Sequence, residues 1–248
     1  MIEASAFLRR EGIELFYQVL SPENPRASKK VLIIHGLGEH SGRHRQLAEY
    51  LVGQGYGVIL TDLRGFGRSG GLRGHVDEFS NYTSDLVEII TATSPERPPV
   101  VLGHSFGGLV AASLAIDYPR HLTALILSAP ALGPKMKPPA WKDFLARKLA
   151  GLVPKLRLPH GVSASQLSHD PRVEPEYNQD PLCYPKVSTR WYQVFLQEME
   201  RVNAKAGQVS VPTLILQGGS DSIVDPQAVV NFYHKLAEIP KKLVVYPE

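Results

Sequence analysis

The sequence GHSFG at residues 103–107 places a serine between two glycines in the pattern G-x-S-x-G. An apolar run at 99–102 precedes this pattern, and a helix-forming run at 109–116 follows it. A sharp turn between a strand and a helix exposes such a serine, and glycine is needed two positions away on either side because side chains there would collide. The pattern therefore predicts that Ser105 is the nucleophile of an acyl-transfer reaction on a carbonyl group. The alternative is that Ser105 only caps the following helix.

Two backbone N–H groups are expected to complete this chemistry. Attack on a carbonyl builds negative charge on its oxygen, and this charge needs donors placed in advance. The N–H of Phe106, directly after the serine, is the first expected donor. The second is the N–H of Leu37, in the glycine-rich loop at 35–38 that follows a predicted strand at 31–34. The alternative for this loop is a plain glycine turn.

An acidic residue after a later strand is expected to orient the catalytic base. Asp221 follows a predicted strand that begins at Thr213, which is the position of the acid in chain order after the nucleophile. Asp225 competes for the role, but it stands directly before Pro226, and this pair is typical of the start of a helix. The sequence therefore favours Asp221.

The base should be a histidine in the loop after the next strand, predicted at 243–246. Only two residues of the sequence follow that strand, so this histidine is expected beyond residue 248, in a continuation of the chain. His104 is expected to point away from the turn at Ser105. None of the histidines present occupies the required place, and they are His35, His40, His44, His75, His104, His121, His160, His169 and His234.

Six short runs rich in Val, Ile and Leu predict the strands that position these residues. They lack polar alternation, which is typical of strands buried on both faces of a parallel sheet. Two earlier extended segments predict an antiparallel hairpin at one edge. The fold class is therefore α/β, with a mostly parallel, doubly wound sheet. The runs are 31–35, 57–61, 100–103, 122–127, 213–216 and 243–246, and the hairpin segments are 6–10 and 13–19.

Helical spacing appears between the strands. Residues 79–90 predict one helix, and Asp225 with Pro226 predicts the start of another. Ser41 is expected to cap a third helix, which carries the apolar residues Leu47, Tyr50 and Leu51 at helical spacing.

Residues 131–208 are too many for an ordinary connection between sheet elements, so they predict an insertion with its own structure. Apolar residues at helical spacing near 141–152 and 191–199 indicate a helical cap over the sheet. The core is accordingly assigned to residues 1–130 and 209–248. The two apolar sets are Trp141, Phe144, Leu145, Leu149 and Leu152, and Trp191, Val194, Phe195 and Met199.

Composition excludes several other classes of protein. The 248 residues carry 27 Lys and Arg against 24 Asp and Glu, a net charge of +3, which gives no basic stripe for nucleic acid. Cys183 is the single cysteine, so it predicts neither an internal disulfide nor a zinc site. The first residues lack the pattern of a secretory signal, and no run predicts a membrane span, so a cytoplasmic protein is expected.

A second glycine pattern, GFGRSG at residues 65–70, matches the G-x-G-x-x-G of dinucleotide sites. No helix-forming run begins at its third glycine, as such a site requires, and further glycines follow instead. The sequence therefore argues against a nucleotide site.

Four stretches resemble the monoacylglycerol lipase and lysophospholipase group of serine hydrolases, which have the α/β-hydrolase fold. These are HGLGEHSGR at 35–43, LRGHVDEFSNYTSDL at 72–86, GHSFGG at 103–108 and LSHDPRVEPEYNQDPL at 167–182. The first and third together are specific, and the other two support them. The resemblance extends over nearly the whole chain.

This resemblance implies a cap that forms an apolar tunnel for an acyl chain, a lipid ester substrate, and neither a metal nor an organic cofactor. It implies a catalytic triad of Ser105, Asp221 and a histidine beyond residue 248. Supporting roles in the loop fall to His35, Gly36 and Gly38, and to Glu39 and Arg43, which are expected to brace the oxyanion turn. His44 departs from the pattern, because relatives usually have an aromatic residue there.

Basic residues crowd the first part of the predicted cap, and a solvated helix face is the favoured interpretation. Peripheral contact with anionic lipid surfaces is the alternative hypothesis. Two rival functions remain open: a peptidase or amidase on the same scaffold, and a ligand-binding protein without catalysis. The basic residues are Lys135, Lys137, Lys142, Arg147, Lys148, Lys155 and Arg157.

Overall fold

The computed structural model of the chain describes residues 1–23, 29–135 and 149–247. Eight of its strands form one sheet, and β7 and β8 form a separate two-stranded sheet. The strands are β1 Ile2–Arg10, β2 Ile13–Ser21, β3 Lys30–Ile34, β4 Gly57–Thr61, β5 Val100–His104, β6 Ala124–Ser128, β7 Arg157–Pro159, β8 Lys186–Ser188, β9 Thr213–Gly218 and β10 Lys241–Tyr246.

The order of the main sheet is β1-β2-β4-β3-β5-β6-β9-β10. All pairs from β4 to β10 are parallel, whereas β1 pairs with β2, and β2 with β4, in antiparallel register. The predicted α/β class, with a mostly parallel sheet and an antiparallel hairpin at one edge, is therefore confirmed. Because the parallel strands run in one direction, the loops after β3, β5, β6 and β9 meet at one edge of the sheet.

The two faces of the central strands are both apolar and both covered. Val31 and Ile33 of β3 face a cluster that includes Ala48 and Val52, whereas Leu32 and Ile34 belong to the larger cluster on the opposite face. This burial on both faces explains why the strands read as continuous apolar runs.

Six helices with both ends among the described residues lie beside the strands, and two of them begin where the sequence predicts. The helix from residue 80 buries its predicted apolar face, and the helix from Pro226 has Asp225 as its N-cap. The helices are α1 Arg45–Gly53, α2 Ser80–Thr93, α3 Phe106–Asp117, α4 Val173–Gln179, α5 Thr189–Ala204 and α6 Pro226–Lys235.

The prediction for the region before α1 is wrong in its details. The residue that caps this region is His40, whose Nδ1 accepts a hydrogen bond from the Gly42 N–H at 3.1 Å, while Ser41 lies inside a short 3-10 helix. Since a 3-10 turn has fewer residues than an α-helical turn, it shifts the phase of the helix that follows. As a result α1 buries Ala48 and Val52, while Leu47 and Tyr50 are exposed.

The predicted insertion divides into parts with different surroundings. Trp141, Phe144 and Leu145 lie outside the described residues, as do Lys137, Lys142, Arg147 and Lys148 of the basic set. The second apolar set forms α5, which packs against α3 of the core, and the Ser113 hydroxyl of α3 donates to Glu198 of α5 at 2.6 Å. The boundary at 131–208 stays a prediction. No helix in the described part of the chain has both the length and the apolar character needed to cross a membrane.

Candidate active site

Ser105 stands at a strained turn between β5 and α3. Its φ of 51° and ψ of −115° lie in a region that L-residues rarely adopt, at a typical cost of about 1–3 kcal/mol. Four backbone hydrogen bonds stabilise the turn. The Ser105 N–H donates to the Ser128 carbonyl at 2.9 Å, and the Ser105 carbonyl accepts from Gly108 and Ala131, each at 2.9 Å, and from Leu109 at 3.3 Å. These bonds hold Ser105 in its strained conformation. Strain that the surrounding backbone maintains in this way is typical of a functional residue.

The glycines on either side of the turn permit a close approach of backbone to backbone. A Cβ on Gly103 would overlap the carbonyl of Gly107, and a Cβ on Gly107 would overlap the carbonyls of Ile34 and His35. The α3 helix therefore sits directly against the end of β3, which brings the loop after β3 beside Ser105.

His35 sets the direction of the peptide that carries the Leu37 amide. Its Nε2 accepts a hydrogen bond from the Leu63 N–H at 2.9 Å, so the ring proton is on Nδ1, which donates to the Gly36 carbonyl at 2.7 Å. Burial lowers the pKa of His35, which keeps the ring neutral. In a trans peptide the C=O and N–H point in opposite directions, so the Leu37 N–H points away from His35.

Glu39 holds the same loop from its other side. Its Oε1 accepts from the Gly36 N–H at 2.5 Å and from His44 Nε2 at 3.0 Å, and its Oε2 lies 3.5 Å from Arg43 Nε. Burial would raise the pKa of Glu39, but the hydrogen bond from His44 and the neighbouring imidazoles outweigh it and lower the pKa well below the ordinary value. The carboxylate is therefore ionised, and His44, which departs from the family pattern, contributes to holding it.

The amide of Phe106 belongs to the first turn of α3, where helical N–H groups have no partner within the helix. The Phe106 ring is fully buried among aromatic side chains, with centroids at 5.1 Å from Trp191, 5.4 Å from Tyr82 and 6.0 Å from Phe79. Among the hydrogen bonds of the described residues, none uses the N–H of Leu37 or of Phe106. Both amides are thus available to an oxyanion.

Asp221 lies in the loop after β9, as the sequence predicts. Its Oδ1 accepts from the N–H groups of Ile223 and Val224, each at 2.8 Å, and its Oδ2 accepts from Gln217 Nε2 at 3.2 Å. Asp225 instead accepts from the Gln227 N–H at 3.1 Å and caps α6. The geometry therefore separates the two candidate acids into a fixed carboxylate at the site and a helix cap.

Two cavities meet at Ser105. The larger, of about 480 Å³, also has Asp221 in its wall, together with Ser165 and His169 from the predicted cap. The smaller, of about 240 Å³, includes Leu37 and Tyr177. Ser105 lines both cavities, Asp221 lines the larger one and Leu37 the smaller one, so the three candidate site residues face connected space between the sheet edge and the predicted cap.

The histidines take positions that the sequence does not fully predict. His104, expected to point away from the turn at Ser105, lines both cavities, so that expectation is wrong. It is the last residue of β5, partly buried at the sheet edge, and its Nδ1 lies 3.3 Å from the Ser128 hydroxyl. His169 reaches the larger cavity from the cap, and no sequence signal indicates this. Within the described residues, no histidine has a hydrogen bond to Ser105 or Asp221.

A cluster of possible metal ligands, His40, Asp180 and Cys183, lies beside the loop at residues 35–38, the candidate oxyanion loop. His40 Nδ1 accepts from the Gly42 N–H, so Nε2 carries the proton and donates to Asp180 at 2.7 Å. Burial raises the pKa of Cys183 to about 12, so the thiol keeps its proton. Internal hydrogen bonding therefore accounts for this cluster.

The glycine pattern at 65–70 folds around Asp62 and does not start a helix. The Asp62 carboxylate accepts from the N–H groups of Ser41 at 2.8 Å and Arg68 at 2.7 Å, and α2 begins only at Ser80. The loop therefore has a structural role, in agreement with the sequence argument against a nucleotide site.

A family model described as serine aminopeptidase, S33, matches residues 25–248. The chain belongs to this family. It is 33% identical over 211 residues to phospholipase YtpA of Bacillus subtilis, with 84% of this chain and 81% of that protein covered. It is 31% identical to the monoglyceride lipase of Homo sapiens, with coverage of 90% and 75%.

Among solved structures, the chain is similar to the monoacylglycerol lipase of Paleococcus ferrophilus, with a TM-score of 0.85 and 31% identity over 94% of this chain and 88% of that one. The α/β-hydrolase fold and the resemblance to monoacylglycerol lipases are thereby confirmed. The chain is a lipase- or esterase-type member of the fold and a carboxylic ester hydrolase.

Proposed function

We propose that this chain hydrolyses carboxylic esters of lipid type, monoacylglycerols or lysophospholipids, through an acyl-enzyme on Ser105. The observation that carries the proposal is the strained turn at Ser105, which lies where two cavities meet and beside two amides without partners. The names of similar proteins, a phospholipase and monoglyceride lipases, support a lipid substrate.

In the proposed reaction, Ser105 Oγ attacks the ester carbonyl while a histidine takes its proton. The negative oxygen of the tetrahedral intermediate accepts hydrogen bonds from the Leu37 and Phe106 amides. The histidine then protonates the leaving alcohol, and water repeats the sequence on the acyl-enzyme. No metal or organic cofactor enters these steps.

Asp221 is proposed to hold the histidine in the correct tautomer, with its own orientation fixed by the amides of Ile223 and Val224. We assign the histidine to the segment that follows β10. The end of β10 lies against the Asp221 loop, where the Gly219 N–H donates to the Tyr246 carbonyl at 2.6 Å. The segment after β10 therefore starts close to Asp221.

The two cavities are proposed to hold the two parts of the ester. Glu39, Arg43 and His44 line the smaller cavity, and such polar groups suit an alcohol with free hydroxyls. The larger cavity is assigned to the acyl chain because of its volume of about 480 Å³; Leu167 and Ile223 line both cavities, and Val224 lines the larger one. This division predicts that chain length affects KM mainly through contacts with the larger cavity.

Peripheral contact with lipid is a further part of the proposal. Leu152, Leu156 and Leu158 are exposed next to Lys155 and Arg157, a combination that favours an anionic membrane surface. Co-sedimentation with liposomes should increase with the fraction of anionic lipid. If sedimentation does not depend on anionic lipid, these residues form a solvated surface and peripheral lipid contact is rejected.

Amide or peptide hydrolysis is the second candidate function, since the matching family is described as a serine aminopeptidase. The same nucleophile and oxyanion hole serve both bond types, so a substrate panel must separate them. We expect faster turnover of monoacylglycerols and lysophospholipids than of aminoacyl anilides. The reverse order of kcat/KM would favour the peptidase.

The nucleophile is tested with a fluorophosphonate probe on the full chain, meaning here a chain that includes the segment after β10 with the proposed histidine. Ser105→Ala should remove labelling and lower ester turnover about a millionfold, because removal of the nucleophile leaves only binding and the oxyanion hole. Ser128→Ala is the matched control, since Ser128 lies on the neighbouring strand and its carbonyl still accepts from the Ser105 N–H. Labelling that survives in Ser105→Ala contradicts the proposal. A wild-type chain that includes this segment and shows neither labelling nor turnover would instead indicate a ligand-binding protein.

A further inference from the structure

The carbonyl of Gly38, in the oxyanion loop, is held by the predicted cap. It accepts a hydrogen bond from the Tyr184 N–H at 2.7 Å and another from the Tyr177 hydroxyl at 3.2 Å. Tyr177 belongs to α4, and Tyr184 lies just before β8. Whereas His35 and Glu39 hold the loop through Gly36, the cap holds it two residues later, so the Leu37 peptide lies between a core anchor and a cap anchor.

Contact between the loop and the cap is as close as a backbone permits. Gly38 has a φ of +72°, and a Cβ at this position would lie 2.9 Å from Tyr177 Oη, His160 Nε2 and the Tyr184 carbonyl. Each of these three atoms belongs to the predicted insertion. The absence of a side chain at Gly38 therefore lets the cap reach the loop.

A second link joins the same two segments. His40, two residues after Gly38, donates from Nε2 to Asp180 Oδ2 at 2.7 Å, and Asp180 Oδ1 accepts from the Leu182 N–H at 2.9 Å. The stretch from Tyr177 to Tyr184 is thus attached to the oxyanion loop at two points.

The surroundings of Tyr177 fit a fixed hydrogen-bond donor. The side chain is buried, and the Arg43 guanidinium lies 5.2 Å above its ring. Burial raises the pKa of Tyr177 to about 12, so the hydroxyl keeps its proton at neutral pH. The same residue borders the smaller cavity with Leu37 and Ser105.

We propose that Tyr177 is a positioning residue for the oxyanion hole, and that its bond to Gly38 makes the Leu37 donor depend on a seated cap. The inference rests on the proposed function. An oxyanion exists only in the transition state and in the intermediate, so a displaced Leu37 amide lowers kcat and leaves substrate binding unchanged.

The test compares Tyr177→Phe with wild type in the full chain. This variant removes one hydroxyl and keeps the ring beneath Arg43. Tyr50→Phe is the matched control, because Tyr50 is 64% exposed on α1. The measurements are kcat and KM for a soluble p-nitrophenyl ester, the melting temperature, and the inhibition constant of an alkyl trifluoromethyl ketone, whose adduct with serine carries an oxyanion.

We expect kcat to fall about tenfold in Tyr177→Phe, with KM within about twofold of wild type. The inhibition constant of the ketone should rise by the same factor as kcat falls. Asp180→Asn, which weakens the second link, should give a smaller change of the same kind. Tyr50→Phe should match wild type in all measurements.

Unchanged kcat and unchanged ketone inhibition in Tyr177→Phe would overturn the inference. A raised KM with an unchanged kcat would also overturn it, since that result makes Tyr177 a substrate contact. A lower kcat in Asp180→Asn together with an unchanged kcat in Tyr177→Phe would also overturn the inference. If the wild-type chain neither turns over the ester nor binds the ketone, the proposed function itself fails, and that outcome is distinct from the others.

Discussion

The two walls of the site differ in how firmly the chain fixes them. On the core side, Ser105 and the oxyanion loop are held by backbone hydrogen bonds, by glycine contacts and by the buried side chains of His35 and Glu39. On the cap side, residues 165–169 line the larger cavity and are all exposed. This difference agrees with the proposal that the core carries the chemistry and that the predicted cap selects the substrates.

Substitution of the acid should have the largest effect on the core side. Asp221→Asn should lower kcat about 10⁴-fold, because a neutral amide no longer holds the base histidine in the correct tautomer. Asp225→Asn is the control, and it should leave kcat unchanged since Asn also caps helices. Ester turnover under saturating substrate checks both. A larger loss in Asp225→Asn would reverse the assignment of the acid.

The close approach of α3 to β3 can be broken at one glycine. Gly107→Ala should reduce the free energy of unfolding by about 3 kcal/mol, because its Cβ overlaps the carbonyls of Ile34 and His35. Gly53→Ala places the same methyl group in open space at the end of α1 and should change stability by about 1 kcal/mol or less. Urea unfolding measures both. Equal effects would show that the contact at Gly107 is easily relieved.

The buried imidazole of His35 should make stability depend on pH. Burial lowers its pKa in the folded chain below the ordinary 6.5, so the unfolded chain takes up the proton first as the pH falls. The contribution of His35 is fully present above about pH 6.5, and it should decline by up to about 1.4 kcal/mol per pH unit below that. His35→Asn keeps a donor toward Gly36 and should reduce the slope.

Urea unfolding at pH 7.5 and pH 5.5 tests this dependence, with His234→Asn as the control at an exposed position of α6. Burial also lowers the pKa of His104 and His160, so a smaller slope should remain in His35→Asn. A slope that is the same in both variants would contradict the role given to His35.

The cap side should give the smallest effects on stability. Leu156→Asp should change the free energy of unfolding by about 0.5 kcal/mol or less, because Leu156 is exposed. It should leave hydrolysis of a soluble ester unchanged and lower hydrolysis of a vesicle-bound substrate severalfold. Leu47→Asp on α1 is the control. If Leu156→Asp also lost activity toward the soluble ester, this part of the cap would influence the core side of the site, at Ser105 and the oxyanion loop.

The same difference between the walls explains how much the sequence predicts. Ser105, Phe106 and Asp221 follow strands that apolar runs predict, and the turns after these strands have recognisable residue types. In the structure the three residues lie just after the ends of β5 and β9. By contrast, the contact of Tyr177 with Gly38 joins residues 139 positions apart, and no periodicity or turn pattern records such a pairing. The position of His104 on the cavity wall depends on the exact end of β5, which apolar runs do not fix.

The phase of α1 is a second example. Ser41 is a good cap by residue type, but His40 supplies a ring nitrogen to the Gly42 N–H, and the 3-10 turn that follows rotates the apolar face. The buried carboxylate of Asp62 also accepts from the Ser41 N–H at 2.8 Å and fixes this turn from another part of the chain. Local preference is thus overridden by a tertiary contact.

Mass spectrometry of the acyl-enzyme tests the central claim most directly. The full chain is mixed with a p-nitrophenyl acyl ester, quenched in acid within the first turnovers and digested. The account predicts one added acyl group on the peptide that contains Ser105, and no such adduct in Ser105→Ala. Steady ester turnover with the acyl group on another residue, or with no adduct and full activity in Ser105→Ala, would contradict it.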